Sequence, residues 1–302
     1  MKTALLFPGQ ASQYVGMGKD LYDNHDRARE LFDAANDIMD TDLRRISFEG
    51  PAEELKQTKY TQPAIFVHSV VMAELLGIVP AAAAGHSLGE YSALVAAGAL
   101  TFENGLRLVK KRGELMQESG TRSPGTMAAV IGAEADVVDA ACREAADAGI
   151  VQTANFNSPG QIVISGSIAG IDRAMEVLKE KGVRLVKKLP VSGAFHSPLM
   201  QYAQDELGAV LDATPISEAR FPVYTNVTAK PVTSADEIRD NLLRQVTSPV
   251  LWQSSMEHML ADGMSRFIEC GPGNVLQGLM KRIGPDANCV VAGTHEELLT
   301  LK

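Results

Sequence analysis

The stretch Gly85-His86-Ser87-Leu88-Gly89 decides how this 302-residue chain is read. Its Gly-x-Ser-x-Gly pattern is that of a nucleophile on a sharp strand-to-helix turn. The flanks agree. Ala81-Ala82-Ala83-Ala84 is small enough for a strand packed between helices, and residues 90–97 read as a helix that ends at Gly98. The motif's two glycines lack Cβ atoms, so the chain can turn hard and the helix can approach the strand. Ser87 then sits at a helix N-terminus, where unpaired N–H groups stabilise a developing oxyanion. The plainer alternative is a glycine-flanked helix start with Ser87 as its cap.

Before the motif, Thr3-Ala4-Leu5-Leu6-Phe7 reads as a buried strand that runs into a loop, Pro8 to Gln13. Helical patterns cover residues 20–39 and 63–76, the second with Thr61 as N-cap, Pro63 near the first turn and Gly77 as the stop. After it come helices at 88–97 and 102–119. Strands separated by helices imply a mostly parallel sheet with covered faces. From Ser123-Pro124-Gly125 the order changes: strand 126–131, helix 133–148, strands 151–155 and 161–165, helix 168–181, strand 184–189. That is βαββαβ, the ferredoxin-like order, with Asn157-Ser158-Pro159-Gly160 as its central turn. The division predicted is a core of residues 1–124 and 191–302 with a small subdomain at 125–190. The core resumes with a helix near Ser197-Pro198, a strand at 223–227, helices at 235–245 and 254–261, a strand at 266–269, and a helix after Gly271-Pro272-Gly273.

The net charge of −9 argues against nucleic acid as a partner, because phosphate neutralisation needs a basic face. Cys142, Cys270 and Cys289 are sparse and odd in number, which suggests reduced thiols in a cytoplasmic protein rather than disulfides or a zinc site. The longest apolar stretch, 64–85, contains His68, Glu74 and Pro80, and reads as a buried helix rather than a membrane span.

A serine nucleophile needs a base. Of six histidines, His196 stands out, in a loop just after the small subdomain and just before a helix. Such loops build α/β active sites; the alternative is a structural loop histidine. No carboxylate is an obvious partner for it: Asp205 and Glu206 follow too closely, and Asp236, Asp240 and Glu269 have no support. A backbone carbonyl can serve instead. Arg112 lies in the run Lys110-Lys111-Arg112, which alone suggests a solvated helix face, although a guanidinium there could grip a carboxylate bidentately. The backbone N–H of Gln10, in a loop after a strand, could be a second oxyanion donor.

Together these residues resemble the malonyl-CoA:acyl-carrier-protein transacylase family over nearly the whole chain. Leu6-Phe7-Pro8-Gly9-Gln10-Ala11-Ser12-Gln13 resembles its opening strand and oxyanion loop, and Gly85 to Glu90 its nucleophile elbow. Asn155 to Gln161 is similar to its small-domain turn, and Gly193-Ala194-Phe195-His196-Ser197 to its histidine loop. Gln245, Pro249-Val250-Leu251-Trp252 and Glu269-Cys270-Gly271-Pro272-Gly273 match its C-terminal motifs. The resemblance implies an α/β, hydrolase-like core with a ferredoxin-like insert. It implies a Ser87–His196 dyad oriented by a carbonyl near Gln245, and an oxyanion hole from the Gln10 and Leu88 N–H groups. It makes Arg112 the ligand of the malonyl carboxylate and sets Phe195 against an α-methyl group. It further implies malonyl-CoA and acyl carrier protein as partners, with no cofactor, metal or membrane. Rival readings are a serine thioesterase or esterase, and a non-catalytic acyl-binding component of a synthase. Lys110, Lys111, Arg184, Lys187, Lys188, Lys281 and Arg282 are candidates for a carrier-docking patch.

Overall fold

A computed structural model describes residues 2–191 and 193–302. Met1 and Ser192, both within the core bounds expected above, lie outside them. In chain order the strands are β1 (Lys2–Phe7), β2 (Ala82–Gly85), β3 (Gly125–Ile131), β4 (Val151–Ser158) and β5 (Gln161–Ser167). Then come β6 (Leu185–Lys188), β7 (Val223–Tyr224), β8 (Pro231–Val232), β9 (Met264–Cys270) and β10 (Asn288–Ala292).

The larger sheet has the order β10-β9-β1-β2-β7-β8, parallel except for β8. Both of its faces are covered by helices, so β1 and β2 are apolar throughout their buried length, as a parallel sheet requires. The alanines of β2 give neighbouring elements room. Ala82 and Ala84 face the cluster around Trp252 and Phe267, while Ala83 joins the cluster around Phe66 and Leu94 on the other face.

The smaller sheet is antiparallel, in the order β4-β5-β3-β6. Helices Ala135–Glu144 and Ile168–Glu180 close its own core of Val130, Ile164, Val138, Ile171 and Leu178. This is the ferredoxin-like order expected. Two backbone hydrogen bonds join it to the rest of the molecule: Val250 N–H to the Ala154 carbonyl at 2.8 Å, and Phe156 N–H to the Val250 carbonyl at 2.9 Å.

Three local expectations change. The helix expected at 20–39 is two helices, Lys19–Asn24 and Asp26–Met39, because His25 is extended and its ring is drawn toward His295. The helix expected from Pro63 begins at Thr58 with Gln57 as N-cap, and Pro63 lies inside it. Tertiary contacts extend it: Lys59 N–H donates to Gln117, Thr61 Oγ1 donates to the Leu55 carbonyl, and Gly113 lets the helix Phe102–Arg122 close on Thr58 and Lys59. The strand expected at 223–227 stops at Tyr224, where Thr225 and Asn226 turn away into a hydrogen-bonded loop. Edge strand β10 and the C-terminal helix His295–Leu301, closed by a Thr294–Glu297 capping box, were not foreseen.

Candidate active site

Ser87 sits between β2 and the helix Gly89–Ala96, with φ at +51°. The elbow is tight enough to require its glycines. A Cβ on Gly85 would lie 1.9 Å from the Gly89 carbonyl carbon, and one on Gly89 would lie 2.0 Å from the Phe7 oxygen. His196, also at positive φ (+58°), brings Nε2 to 2.8 Å from Ser87 Oγ. Its Nδ1 is 2.9 Å from the main-chain carbonyl of Gln245. A carbonyl only accepts, so Nδ1 carries the proton and Nε2 presents its lone pair to the hydroxyl. Burial, then the charge of Arg112, pulls the His196 pKa from 6.5 down to about 3. The ring is therefore neutral, ready to take a proton.

Arg112 is 1% exposed, in contrast to the solvated face its sequence run suggested. The helix Phe102–Arg122 explains why. Thr101 caps it, and its buried stripe runs Phe102, Leu106, Val109, Arg112, Gly113 and Met116. Lys110 turns outward to Asp40 while Arg112 turns in. Arg112 Nη1 donates to Gln62 Oε1 at 2.7 Å, and Nη2 donates to Ser87 Oγ and to Gln245 Oε1, both at 3.0 Å. The guanidinium lies over the Tyr91 ring at 5.5 Å, and Nε has no partner. Burial lowers its pKa, opposed by Tyr91 and Glu90. Among the described residues no carboxylate forms an ion pair with it, which leaves a buried cation beside the hydroxyl.

Gln10 and Leu88 both line the cleft at Ser87, and neither backbone N–H donates to a protein acceptor among the described residues. The cleft holds about 120 Å³. Gln62, Met116 and Phe195 form one wall, and Met127, Asn155 and Val163 of the smaller sheet form the other. A larger hollow of about 260 Å³, at the amino-terminal ends of β2 and β7, contains no serine, cysteine or histidine. Among the described residues no three His, Cys, Asp or Glu side chains are grouped to hold a metal, and no helix is long and apolar enough to cross a membrane.

A family model described as an acyl transferase domain matches residues 4–297. The chain belongs to that family. It is an acyltransferase, and its similarity to named relatives places it among the malonyl CoA-acyl carrier protein transacylases. The protein of that name from Bacillus subtilis is 46% identical over 301 residues, covering 98% of this chain and 95% of its own length. That of Staphylococcus aureus is 42% identical, covering 98% and 97%. A Vibrio cholerae acyl carrier protein S-malonyltransferase superposes with a TM-score of 0.97 at 40% identity, covering 100% of both chains. A malonyl-transacylase solved in complex with a type II polyketide-synthase acyl-carrier protein superposes at 0.96 and 40% identity, covering 100% of this chain and 99% of that one.

Two residues that no sequence motif marked also reach the site of this acyltransferase. Gln62 comes from the interior of the helix Thr58–Leu76 and Asn226 from the loop after β7. His86 Nε2 pairs with Asn157 Oδ1 at 2.8 Å, tying the elbow to the smaller sheet. Buried Glu90 accepts from the Asn226 N–H and from Gln245 Nε2, both at 2.9 Å. Burial raises its pKa from 4.5 to about 7. The spacing of the stripe 106, 109, 112/113 and 116 was the one signal that could have marked Arg112 as buried.

Proposed function

We propose that the enzyme moves a malonyl group from malonyl-CoA to the phosphopantetheine thiol of acyl carrier protein, by a ping-pong route through malonyl-Ser87. The observation that carries this reading is Ser87 Oγ lying between His196 Nε2 at 2.8 Å and Arg112 Nη2 at 3.0 Å. His196 takes the hydroxyl proton as Oγ bonds to the thioester carbon. The negative oxygen of the tetrahedral intermediate accepts from the Gln10 and Leu88 N–H groups. The C–S bond breaks, and His196 returns its proton to the departing coenzyme A thiolate. In the second half the carrier thiol gives its proton to His196 as its sulfur bonds to the acyl carbon of malonyl-Ser87; the C–Oγ bond then breaks and His196 returns the proton to Oγ, which restores the serine.

Arg112 pairs with the free carboxylate of the malonyl group. The Gln245 carbonyl holds the imidazole, and its side-chain amide holds Arg112. Phe195 fills the space an α-methyl group would need. No cofactor takes part, and the reaction belongs in the cytoplasm. Residues 125–190 act as a subdomain that walls the cleft built by residues 1–124 and 191–302. The malonyl-transacylase solved with its carrier protein supports the choice of acceptor.

Intact-mass measurement after malonyl-CoA exposure tests the reading. One malonyl adduct is expected on Ser87, removed by holo carrier protein and absent from Ser87→Ala. An adduct retained by Ser87→Ala refutes the serine intermediate. Loss of the adduct to water as fast as to the carrier favours a thioesterase.

A further inference from the structure

The backbone at Ser87 occupies the left-handed region, where a serine is not at ease without support. One side chain spans that point. Asn226 accepts from the Ser87 N–H through Oδ1 at 2.6 Å and donates from Nδ2 to the Gly85 carbonyl at 2.6 Å. Its amide thus grips the elbow on both sides of His86. Asn226 is itself fully buried and anchored at every polar group. Its N–H donates to Glu90 Oε2 at 2.9 Å, and its carbonyl accepts from the Leu251 N–H at 2.9 Å. The same Glu90 oxygen accepts from Gln245 Nε2.

We propose that Asn226, seated by Glu90, is a positioning residue that holds Ser87 in its left-handed conformation and so keeps Oγ aimed at His196. This rests on Ser87 being the nucleophile. An amide suits the place because it offers one acceptor and one donor across the width of the turn. Aspartate lacks the donor, and an aliphatic side chain lacks both. Without the grip, Ser87 relaxes toward negative φ and Oγ leaves its contact with the imidazole. Glu90 acts as a hydrogen-bond acceptor and not through its charge. With a pKa raised to about 7, it keeps Oε2 available when a proton sits on Oε1.

The test is single-turnover malonylation of Ser87 at saturating malonyl-CoA, followed by quenched-flow mass spectrometry. Malonyl-CoA affinity is measured calorimetrically with each change placed in the Ser87→Ala protein, and melting is recorded throughout. Asn226→Ala is expected to slow acylation at least 100-fold while affinity stays within threefold. Glu90→Ala is expected to slow it at least tenfold, and the isosteric Glu90→Gln to restore it to within threefold of the parent. A merely structural role would lower melting and affinity together and spare the rate of the folded fraction. Acylation of Asn226→Ala within threefold of the parent overturns the proposal, as do equal rates for Glu90→Ala and Glu90→Gln. The Glu90 pair decides if Asn226→Ala does not fold. A parent that acquires no malonyl on Ser87 instead brings down the serine mechanism itself.

Discussion

Replacing Arg112 by methionine should change which acyl group the enzyme accepts. The guanidinium is buried and donates to Gln62, Ser87 and Gln245, with no carboxylate paired to it. In the proposed reaction the malonyl group supplies that carboxylate. Removing one partner of a buried charge pair costs about 3–5 kcal/mol. At about 1.4 kcal/mol per decade, malonyl loading of Arg112→Met should fall by about 10²–10⁴-fold. An acetyl group has no carboxylate to lose, and in the parent it leaves the cation unpaired. Its loading should hold or rise, so the acetyl-to-malonyl ratio climbs at least 100-fold. Gln62 and Gln245 each lose a donor, at about 1–3 kcal/mol apiece, so melting must be recorded alongside. The pH profile should move as well. Arg112 is the second-largest cause of the low His196 pKa, and without its charge that pKa rises. The acid limb of the rate therefore shifts to higher pH. The assay is self-acylation by malonyl-CoA and acetyl-CoA, read by intact mass between pH 5 and 8. A ratio within threefold of the parent, in a variant that melts normally, refutes the carboxylate clamp.

Three further outcomes follow from the same geometry. Gln62→Leu removes the acceptor at Arg112 Nη1, a charged hydrogen bond worth about 1.5–3 kcal/mol, and should lower malonyl loading more than acetyl loading in the same assay. Gly85→Ala places a Cβ 1.9 Å from Gly89 backbone and should destabilise by more than about 4 kcal/mol, seen as insoluble protein; normal yield and melting would refute the close approach. Stability against pH carries two opposed contributions. Burial holds His68 and His196 at about 4 and about 3, so the unfolded chain takes up their protons first, and stability falls as pH drops below 6.5. Glu90 and Glu269 are raised to about 7, so their contribution is whole below 4.5 and lost as pH rises through 7. Glu269→Gln removes one raised carboxyl. Relative to the parent, its unfolding free energy should fall by about 1.4 kcal/mol per pH unit from 6.5 toward 5. Urea titrations that run parallel for the two proteins would refute this.

The elbow was legible in the sequence because its constraints are local. Gly85, Ser87 and Gly89 lie within five residues, and each is dictated by the backbone at that spot. The alternation of strands and helices, and the βαββαβ block, were legible through periodicity and turn residues. Arg112 was obscured by its neighbours, since a basic run reads as solvated until helical spacing is applied to each member. Gln62 and Asn226 had no signal at all. One lies inside an apolar helix and the other in a short loop, and their roles come from contacts 50 and 139 residues away. The early start of the helix Thr58–Leu76 was hidden for the same reason. Its first turn is held by Gln117 and by the space over Gly113, which outweigh the usual placement of proline near a helix start.

The pair of main-chain bonds between β4 and Val250, with the His86–Asn157 link beside it, has a consequence for motion. A hinge between the two sheets would have to tear this seam next to Ser87. Relative motion of the two sheets is therefore opposed beside the cleft, because all three bonds would have to break together.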